Sequence, residues 1–483
     1  MLAAQKLVKS KPALTQIHIL PNLSSLATQT LKDNIFTEGK DCNYTAASGK
    51  MLLDGESQPR FLYPFQWLWD TFFIAGWSSN TDQSVVDVTK FLASQTDDGF
   101  MGHIRYNREI LARKEYFPPP EVYYEKEGLP QTGEVISKIT QPPNAGYGLL
   151  ELVKRLPEST EKTLFAKYAF DKVYLYHKYI YENLVRDGLF VTTHPWESGD
   201  DNSPKWDGIY NRIREGQEDM HTFVGEWLGK MGIAYERVDI KLIHHTQRPV
   251  HPDYDIYLYL IYLYNRWNWN RATILEKSPF RVTDPMTNSI LIRSNLALIE
   301  LAETLNESQE IIEQLKRWAE ITTMELDSLW DKQEKIYFAK DLVTGELIKI
   351  KTVSGLMPLF STVIPQENAD QLAHHIDLIT KSGLVRYIVP STFPSETSCF
   401  EPDRYWRGPV WIITNELVAE GLNHYGYKDC ADKIRMDNLE LISNTLNDRG
   451  GFYEYYNPIN GKGLGSPLQS WTAAAVLKMI TTP

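Results

Sequence analysis

The chain has 483 residues and a formal net charge of −12, from 50 Lys and Arg against 62 Asp and Glu, and this acid surplus argues against nucleic acid or an anionic membrane as a partner. Aromatic residues make up 12%, with 13 Trp and 27 Tyr, more tryptophan than a core alone needs, so the surplus is expected to line a site. The scattered cysteines Cys42, Cys399 and Cys430 are too few for a disulfide framework or a zinc cluster and fit a reducing compartment. An N-terminal run carrying Lys6, Lys9 and Lys11 lacks both a continuous apolar stretch and an Arg-rich bias, which reads as a cytoplasmic start.

In chain order, Leu23 to Lys32 reads as a short amphipathic helix, followed by a polar lead-in from Asn34 to Pro59. The run Phe61 to Phe73 opens a helix after Pro64, and Val85 to Ser94 completes a helical hairpin with it. Asp97 to Pro142, rich in Gly, Pro and Tyr, keeps no lasting period and reads as a long loop or lid. Ala145 to Arg155 and Glu161 to Leu184 form a second hairpin, which delivers the loop HPWESGDDNSPKWD from His194 to Asp207. A charged segment runs on to Gly232. His251 to Trp269, Asp284 to Leu305 and Glu307 to Leu329 are again of helical length with apolar stripes. Only Lys335 to Ala339 and Leu347 to Thr352 look like a β-hairpin. Gln366 to Ile376, Trp411 to Tyr425, Cys430 to Leu446 and Ser470 to Ile480 complete the helices. About a dozen helices joined by short connections, without strand–helix alternation, favour an all-α toroid with one helical ring inside another. We expect a single domain over residues 1–483, with insertions near 97–142 and 212–250.

The loop after His194 carries Glu197, Asp200, Asp201 and Asp207 beside Trp196 and Trp206. Pro195, Gly199 and Pro204 prevent a regular helix or strand, and loops held by a rigid scaffold are where chemistry concentrates. Carboxylates beside indoles point to sugar. An indole stacks on the apolar face of a pyranose, acids and amides bond its hydroxyls, and a carboxyl among apolar rings has its pKa raised into the range of a general acid. The plainer alternative is an acidic turn before a Pro-capped helix at Ser203-Pro204. A second loop, Arg449 to Gly465, sets Glu454 between tyrosines ahead of a Gly-rich turn, either as an exposed strand residue or as a catalytic base. Glycosidases need one carboxylic acid to protonate the leaving oxygen and one carboxylate to activate water or attack carbon. Glu401 to Trp411 places aromatics at a helix mouth. Trp67 and Trp69 fit core packing as well as a site, whereas Asp70 in so apolar a helix needs partners, which sugar hydroxyls would supply. No metal-ligand spacing, dinucleotide or Walker loop, or G-x-S-x-G elbow is present, so neither metal nor cofactor is expected.

Together these stretches resemble glycoside hydrolase family 63, and within it the short mannosylglycerate and glucosylglycerate hydrolases. The resemblance spans most of the chain through YPFQWLWD from Tyr63, QPPNAGYG from Gln141, HPWESGDDNSPKWD from His194, YWRGPVW from Tyr405, GGFYEYYNPINGKGLG around Glu454, and LQSWTAA. It implies an (α/α)6 barrel and an inverting glycosidase that releases hexose and glycerate from a small glycoside. By the same resemblance Asp201 is the general acid and Glu454 the general base, while Asp200 fills a variable position. Tyr63, Trp67, Trp69, Asp70, Gln141, Trp406 and Trp411 would hold the sugar ring. Arg248, Tyr254, Tyr405 and Gln469 would grip the glycerate, with Arg237 competing for its carboxylate. His103 and Tyr106 stay unassigned. An α-glucosidase acting on another small α-glucoside or an oligosaccharide end, and a sugar-binding toroid without turnover, are the alternatives. The sequence leaves a homo-oligomer open.

Overall fold

The computed structural model describes residues 20–51, 60–113, 116–446 and 451–482. The lysine-bearing start, the end of the polar lead-in and Arg449 lie outside the described residues. Within them, α1 (Leu20–Asp33) is followed by five pairs: α2 (Leu68–Trp77) with α3 (Thr81–Ala93), α4 (Ala145–Arg155) with α5 (Thr160–Asn183), α6 (Pro285–Thr304) with α7 (Gln309–Leu326), α8 (Pro358–Ser361) with α9 (Gln366–Ser382), and α10 (Ile412–His424) with α11 (Lys428–Thr445). The last helix, α12 (Ser470–Thr481), packs against α1. Contacts run from α2 to α4, α6, α8, α10 and α12 and back to α2, so the even-numbered helices close an inner ring and the odd-numbered ones stand outside it. This is the expected (α/α)6 toroid.

Sequence pattern decides which helix goes where. All of α2 is buried, as a helix apolar on every side requires. The outer α7 buries only Ile312, Leu315, Trp318, Ala319, Thr322 and Leu326, one stripe at three-to-four spacing. Side chains close the helix starts: Asn80 accepts from Gln83 N–H, Ser159 from Lys162, and Asp284 from Met286 and Thr287 with Pro285 at the first position of α6. Small residues set the inner spacing. A Cβ on Gly148 of α4 would lie 2.3 Å from the Phe72 carbonyl oxygen of α2, so the NAGYG motif lets two inner helices touch.

Two expectations need correction, the hairpin and the irregular 97–142 insertion. The hairpin forms between Ala339–Asp341 and Leu347–Ile348, with Ala339 opposite Ile348, while Ile336–Tyr337 pairs with Trp330–Asp331 instead. It is the edge of a five-stranded antiparallel sheet that also takes in Val282–Thr283, Leu189–Thr192 and Val185–Arg186; strands of two to four residues are too short for their alternation to be read. The inner helix α8 went unforeseen for the same reason, being four residues started by Pro358. The charged segment before Gly232 forms two helices, Asp207–Glu215 and Met220–Lys230. In the 97–142 insertion, Ile104–Tyr106 pairs with Gln66–Trp67 and with Val135–Ile136, so part of this expected lid is sheet. No helix among the described residues is long and apolar enough to cross a membrane.

The inner helices bordering the site all start at it. Asp70, Gln141, Trp406 and Gln469 lie in the first turn of, or just before, α2, α4, α10 and α12. Loops distant in sequence therefore meet at one end of the ring.

Candidate active site

At that end lies a half-open cavity, and Asp201, Glu454, Tyr63, Trp67, Trp69, Asp70, Gln141, Arg248, Tyr254, Tyr405, Trp406 and Gln469 all line it. Trp411 does not reach it and needs correction. Its ring stacks flat on Trp406 at 3.8 Å and its indole N–H donates to the Tyr405 carbonyl at 3.1 Å, so it backs the wall rather than forming it. Arg237 also stands behind the cavity. It donates to Asp239 at 3.0 and 2.6 Å and covers the Tyr254 ring, while Arg248 takes the place facing in.

The loop from His194 folds as a short helical turn, Pro195–Ser198, closed by Gly199 at φ 81°. Any Cβ at Gly199 would lie 2.6 Å from the Trp69 ring, so both the left-handed backbone and the close approach require glycine. Three of the loop's acids are committed to structure. Glu197 accepts from the Thr193 N–H at 2.9 Å, the Thr193 hydroxyl at 3.0 Å and the His194 N–H at 3.2 Å. Asp207 takes a two-pronged bond from Arg407 at 2.7 and 2.8 Å, which ties this loop to the YWRGPVW stretch. Asp200 turns to Lys205 at 2.8 Å, and Lys205 bonds in turn to Asp284, the cap of α6, at 2.5 Å. That leaves Asp201. Among the described residues its carboxyl is bonded only by its own backbone N–H, and burial pushes its pKa up to about 8 against the pull of Arg248. Such a group keeps its proton at neutral pH and can give it away.

Across the cavity Glu454 is 2% exposed yet well supplied with donors. The Tyr63 hydroxyl donates to Oε1 at 2.9 Å, the Ser466 N–H to Oε2 at 3.2 Å, and Arg248 Nη1 approaches both oxygens at 3.4 and 3.5 Å. Burial raises its pKa, and Arg248 and Tyr63 work against that rise. A carboxylate so held can accept a proton. Arg248 sits among the rings of Tyr405, 4.4 Å from its carbon, and Tyr63, 5.7 Å away, with Asp239 accepting from Nε at 3.2 Å. Asp70 is buried, its pKa raised by burial and then by Glu454.

Sequence reasoning left His103 and Tyr106 without a role and did not name Tyr116, Pro118, Tyr123 or Trp471 in the remaining wall. His103, Tyr106, Tyr116, Pro118 and Tyr123 come from the 97–142 insertion, and Trp196 and Trp471 from motifs already singled out. The tyrosines have no periodic signal, being scattered in an irregular segment; Trp471 was legible as the next aromatic after Gln469. His103 stacks on Trp196 at 6.0 Å and shares a 2.5 Å hydrogen bond with Ser137. Burial, then His194, holds its pKa well below the usual range, so it is neutral.

A toroid whose open end buries one proton-bearing carboxyl and one donor-held carboxylate among indoles is the working end of a glycoside hydrolase. The chain belongs to the family described as the mannosylglycerate hydrolase MGH1-like glycoside hydrolase domain, which matches residues 63–472. It is 38% identical over 422 residues to a mannosylglycerate hydrolase of Thermus thermophilus, covering 86% of this chain and 94% of that one. It is 28% identical over 438 residues to the glucosylglycerate hydrolase of Mycolicibacterium hassiacum, covering 86% and 92%. The crystal structure of a family 63 mannosylglycerate hydrolase from Thermus thermophilus, in complex with Tris and D-glycerate, superposes with a TM-score of 0.78 at 34% identity, over 94% of this chain and 99% of that one.

Proposed function

We propose that this enzyme hydrolyses a small α-glycoside of glycerate, mannosyl- or glucosylglycerate, with inversion at the anomeric carbon. Asp201 gives its proton to the glycosidic oxygen as the bond from that oxygen to the anomeric carbon breaks. Glu454 takes a proton from a water whose oxygen bonds the same carbon from the opposite face. The products are free hexose and glycerate, and Asp201 regains a proton from solvent. An inverting pair stands about 6.5 to 9.5 Å apart to leave room for that water. The indoles of Trp67, Trp69 and Trp406 offer faces for the hexose, and Asp70 and Gln141 offer acceptors for its hydroxyls. Arg248 would meet the glycerate carboxylate.

One observation carries this reading: two buried carboxyls border one aromatic cavity, Asp201 pushed to about 8 without a fixed cation, Glu454 held by Tyr63, Ser466 and Arg248. The glycerate glycosides hydrolysed by the relatives named above support the choice of substrate. All three cysteines are free, which fits a cytoplasmic location.

Incubating the purified protein with α-mannosylglycerate, α-glucosylglycerate and a panel of neutral α-glucosides, with release of sugar followed, tests the substrate. Proton NMR of the first product tests the mechanism. Direct attack by water on an α-glycoside yields β-hexose before mutarotation; α-hexose would mean a covalent nucleophile and would sink the scheme.

A further inference from the structure

Arg248 touches both ends of the reaction. It lines the cavity where the substrate's carboxylate is proposed to sit, and its Nη1 reaches Glu454 at 3.4 and 3.5 Å. Those distances are long for a charge-assisted bond, which is typically about 2.7 to 2.9 Å. Its Nε bond to Asp239, at 3.2 Å, is also loose, whereas Arg237 holds the same Asp239 at 2.6 Å. Asp239 is thus held more tightly by Arg237 than by Arg248, and both the Asp239 and the Glu454 contacts of the Arg248 guanidinium are long.

We propose that Arg248 couples recognition of the substrate's carboxylate to the activation of Glu454. In the empty site the guanidinium leans on Glu454; when a carboxylate arrives it turns to that stronger, two-pronged partner and releases the base. A charged aglycone then speeds attack by water as well as tightening binding. The covalent step is unchanged: the water proton goes to Glu454, the water oxygen to the anomeric carbon, and the Asp201 proton to the leaving glycerate oxygen. The inference rests on the glycerate reading above and adds that the aglycone's charge reports itself in turnover.

The charges around Glu454 fix the sign. Facing it are Tyr63 and Arg248, Asp70 from α2, and the hydroxyls of Tyr405 and Tyr455, with Asp239 and Arg237 behind Arg248. Arg248 and Tyr63 lower the basicity of Glu454, and Arg248 is the cation of that set within bonding reach of it. Drawing Arg248 away makes Glu454 a stronger base that needs a higher pH to ionise. The acidic limb of kcat, which reports the loaded enzyme, then lies above that of kcat/KM, which reports the free enzyme.

The test compares α-mannosylglycerate with α-mannosylglycerol on the unaltered protein across pH, with the glucosyl pair used if glucose proves the preferred sugar. We expect the acidic limb of kcat to sit above that of kcat/KM by about one pH unit for the charged substrate and to coincide with it for the neutral one. We also expect plateau kcat roughly three- to ten-fold higher on the charged substrate. In Arg248→Gln the two substrates should give the same limb. Equal limbs and equal plateau kcat on both substrates would overturn the coupling while leaving glycerate glycosides as substrates. A limb difference that survives Arg248→Gln would overturn the assignment to Arg248. Hydrolysis of neither substrate would remove the glycerate reading, and the coupling with it.

Discussion

Two sets of buried acids occupy this toroid, and their surroundings differ. Along α10, Glu416 is fully buried and Arg435 donates to it at 3.2, 2.9 and 2.9 Å. One turn on, Glu420 accepts from the Tyr147 hydroxyl at 2.7 Å and from Arg293 at 3.1 Å. These acids have cations at hydrogen-bond distance; Glu416 ties α10 to the outer α11, and Glu420 ties it to the inner α4 and α6. At the cavity Asp201 has no such cation, and Glu454 has a neutral hydroxyl, an amide and one loosely placed arginine. Burial penalises a carboxylate in both places. Pairing outweighs it at Glu420, whose pKa falls, and offsets it in part at Glu416, which burial still pushes up to about 7. Asp201, with no cation in bonding reach, is pushed up to about 8 and faces the cavity, where a proton can be exchanged.

The sharpest way to break that contrast is to neutralise the cavity acids. Asp201→Asn should lower kcat by roughly 10²- to 10⁴-fold with the melting temperature kept or raised, since an unpaired buried acid contributes little to the fold. Glu454→Gln should lower kcat by a similar factor, about 10²-fold or more, while substrate binding measured by calorimetry persists, because the amide still takes the Tyr63 hydrogen bond. An Asp201 variant that loses its fold rather than its turnover would put this acid with the structural set.

Glu416→Gln is the converse. Removing one partner of a buried pair costs about 3 to 5 kcal/mol because it strands the other charge. We expect a large fall in urea midpoint with kcat per folded molecule unchanged. Loss of activity at full stability would erase the distinction between the two sets.

The same contrast explains what could be read from sequence. Long helices were legible because an apolar stripe over ten or more residues has one reading: α4 was placed at Ala145–Arg155, and α5, α6 and α12 to within a residue or two. The four-residue α8 and the two-residue strands carry no period to read. In the loop from His194, composition pointed to sugar chemistry, but Glu197, Asp200, Asp201 and Asp207 were chemically equivalent on paper. Only the family resemblance singled out Asp201; in the structure the Thr193 amide and Lys205, close by in the chain, and Arg407, from a distant stretch, hold the other three. Trp411 shows the opposite limit, since its motif is shared with Trp406 while one ring faces the cavity and the other backs it.

Arg248→Ala tests the aglycone end. An Arg–carboxylate bond contributes about 1.5 to 3 kcal/mol, so KM for the glycerate glycoside should rise roughly ten- to a hundred-fold and KM for the glycerol counterpart far less. Two acids a few residues along the chain from Arg248 have other partners: Asp253 bonds to Arg214 at 3.3 Å, and Asp255 to Tyr235 at 2.6 Å and His221 at 3.1 Å. Equal losses on charged and neutral substrates would place Arg248 with the structural cations.

The smallest expected effect is the most discriminating, because Asp200 and Asp201 are neighbours in the chain that fall on opposite sides of the contrast. Asp200 faces Lys205 in a sealed site; burial raises its pKa and Lys205 works against that rise. Its charge still reaches Asp201 and helps to raise the acid's pKa. The proposed acid role requires Asp201 protonated, so turnover should hold below about pH 8 and fall as pH rises through it. Asp200→Asn removes a negative neighbour, lowers the Asp201 pKa and moves that alkaline limb to lower pH by less than about one unit. At pH 6 kcat should drop no more than a few-fold, roughly the cost of disturbing the Lys205 strut rather than the chemistry. Should Asp200→Asn abolish turnover at every pH while Asp201→Asn leaves it intact, the proton donor is Asp200, and the cation that seals it is part of the catalytic apparatus.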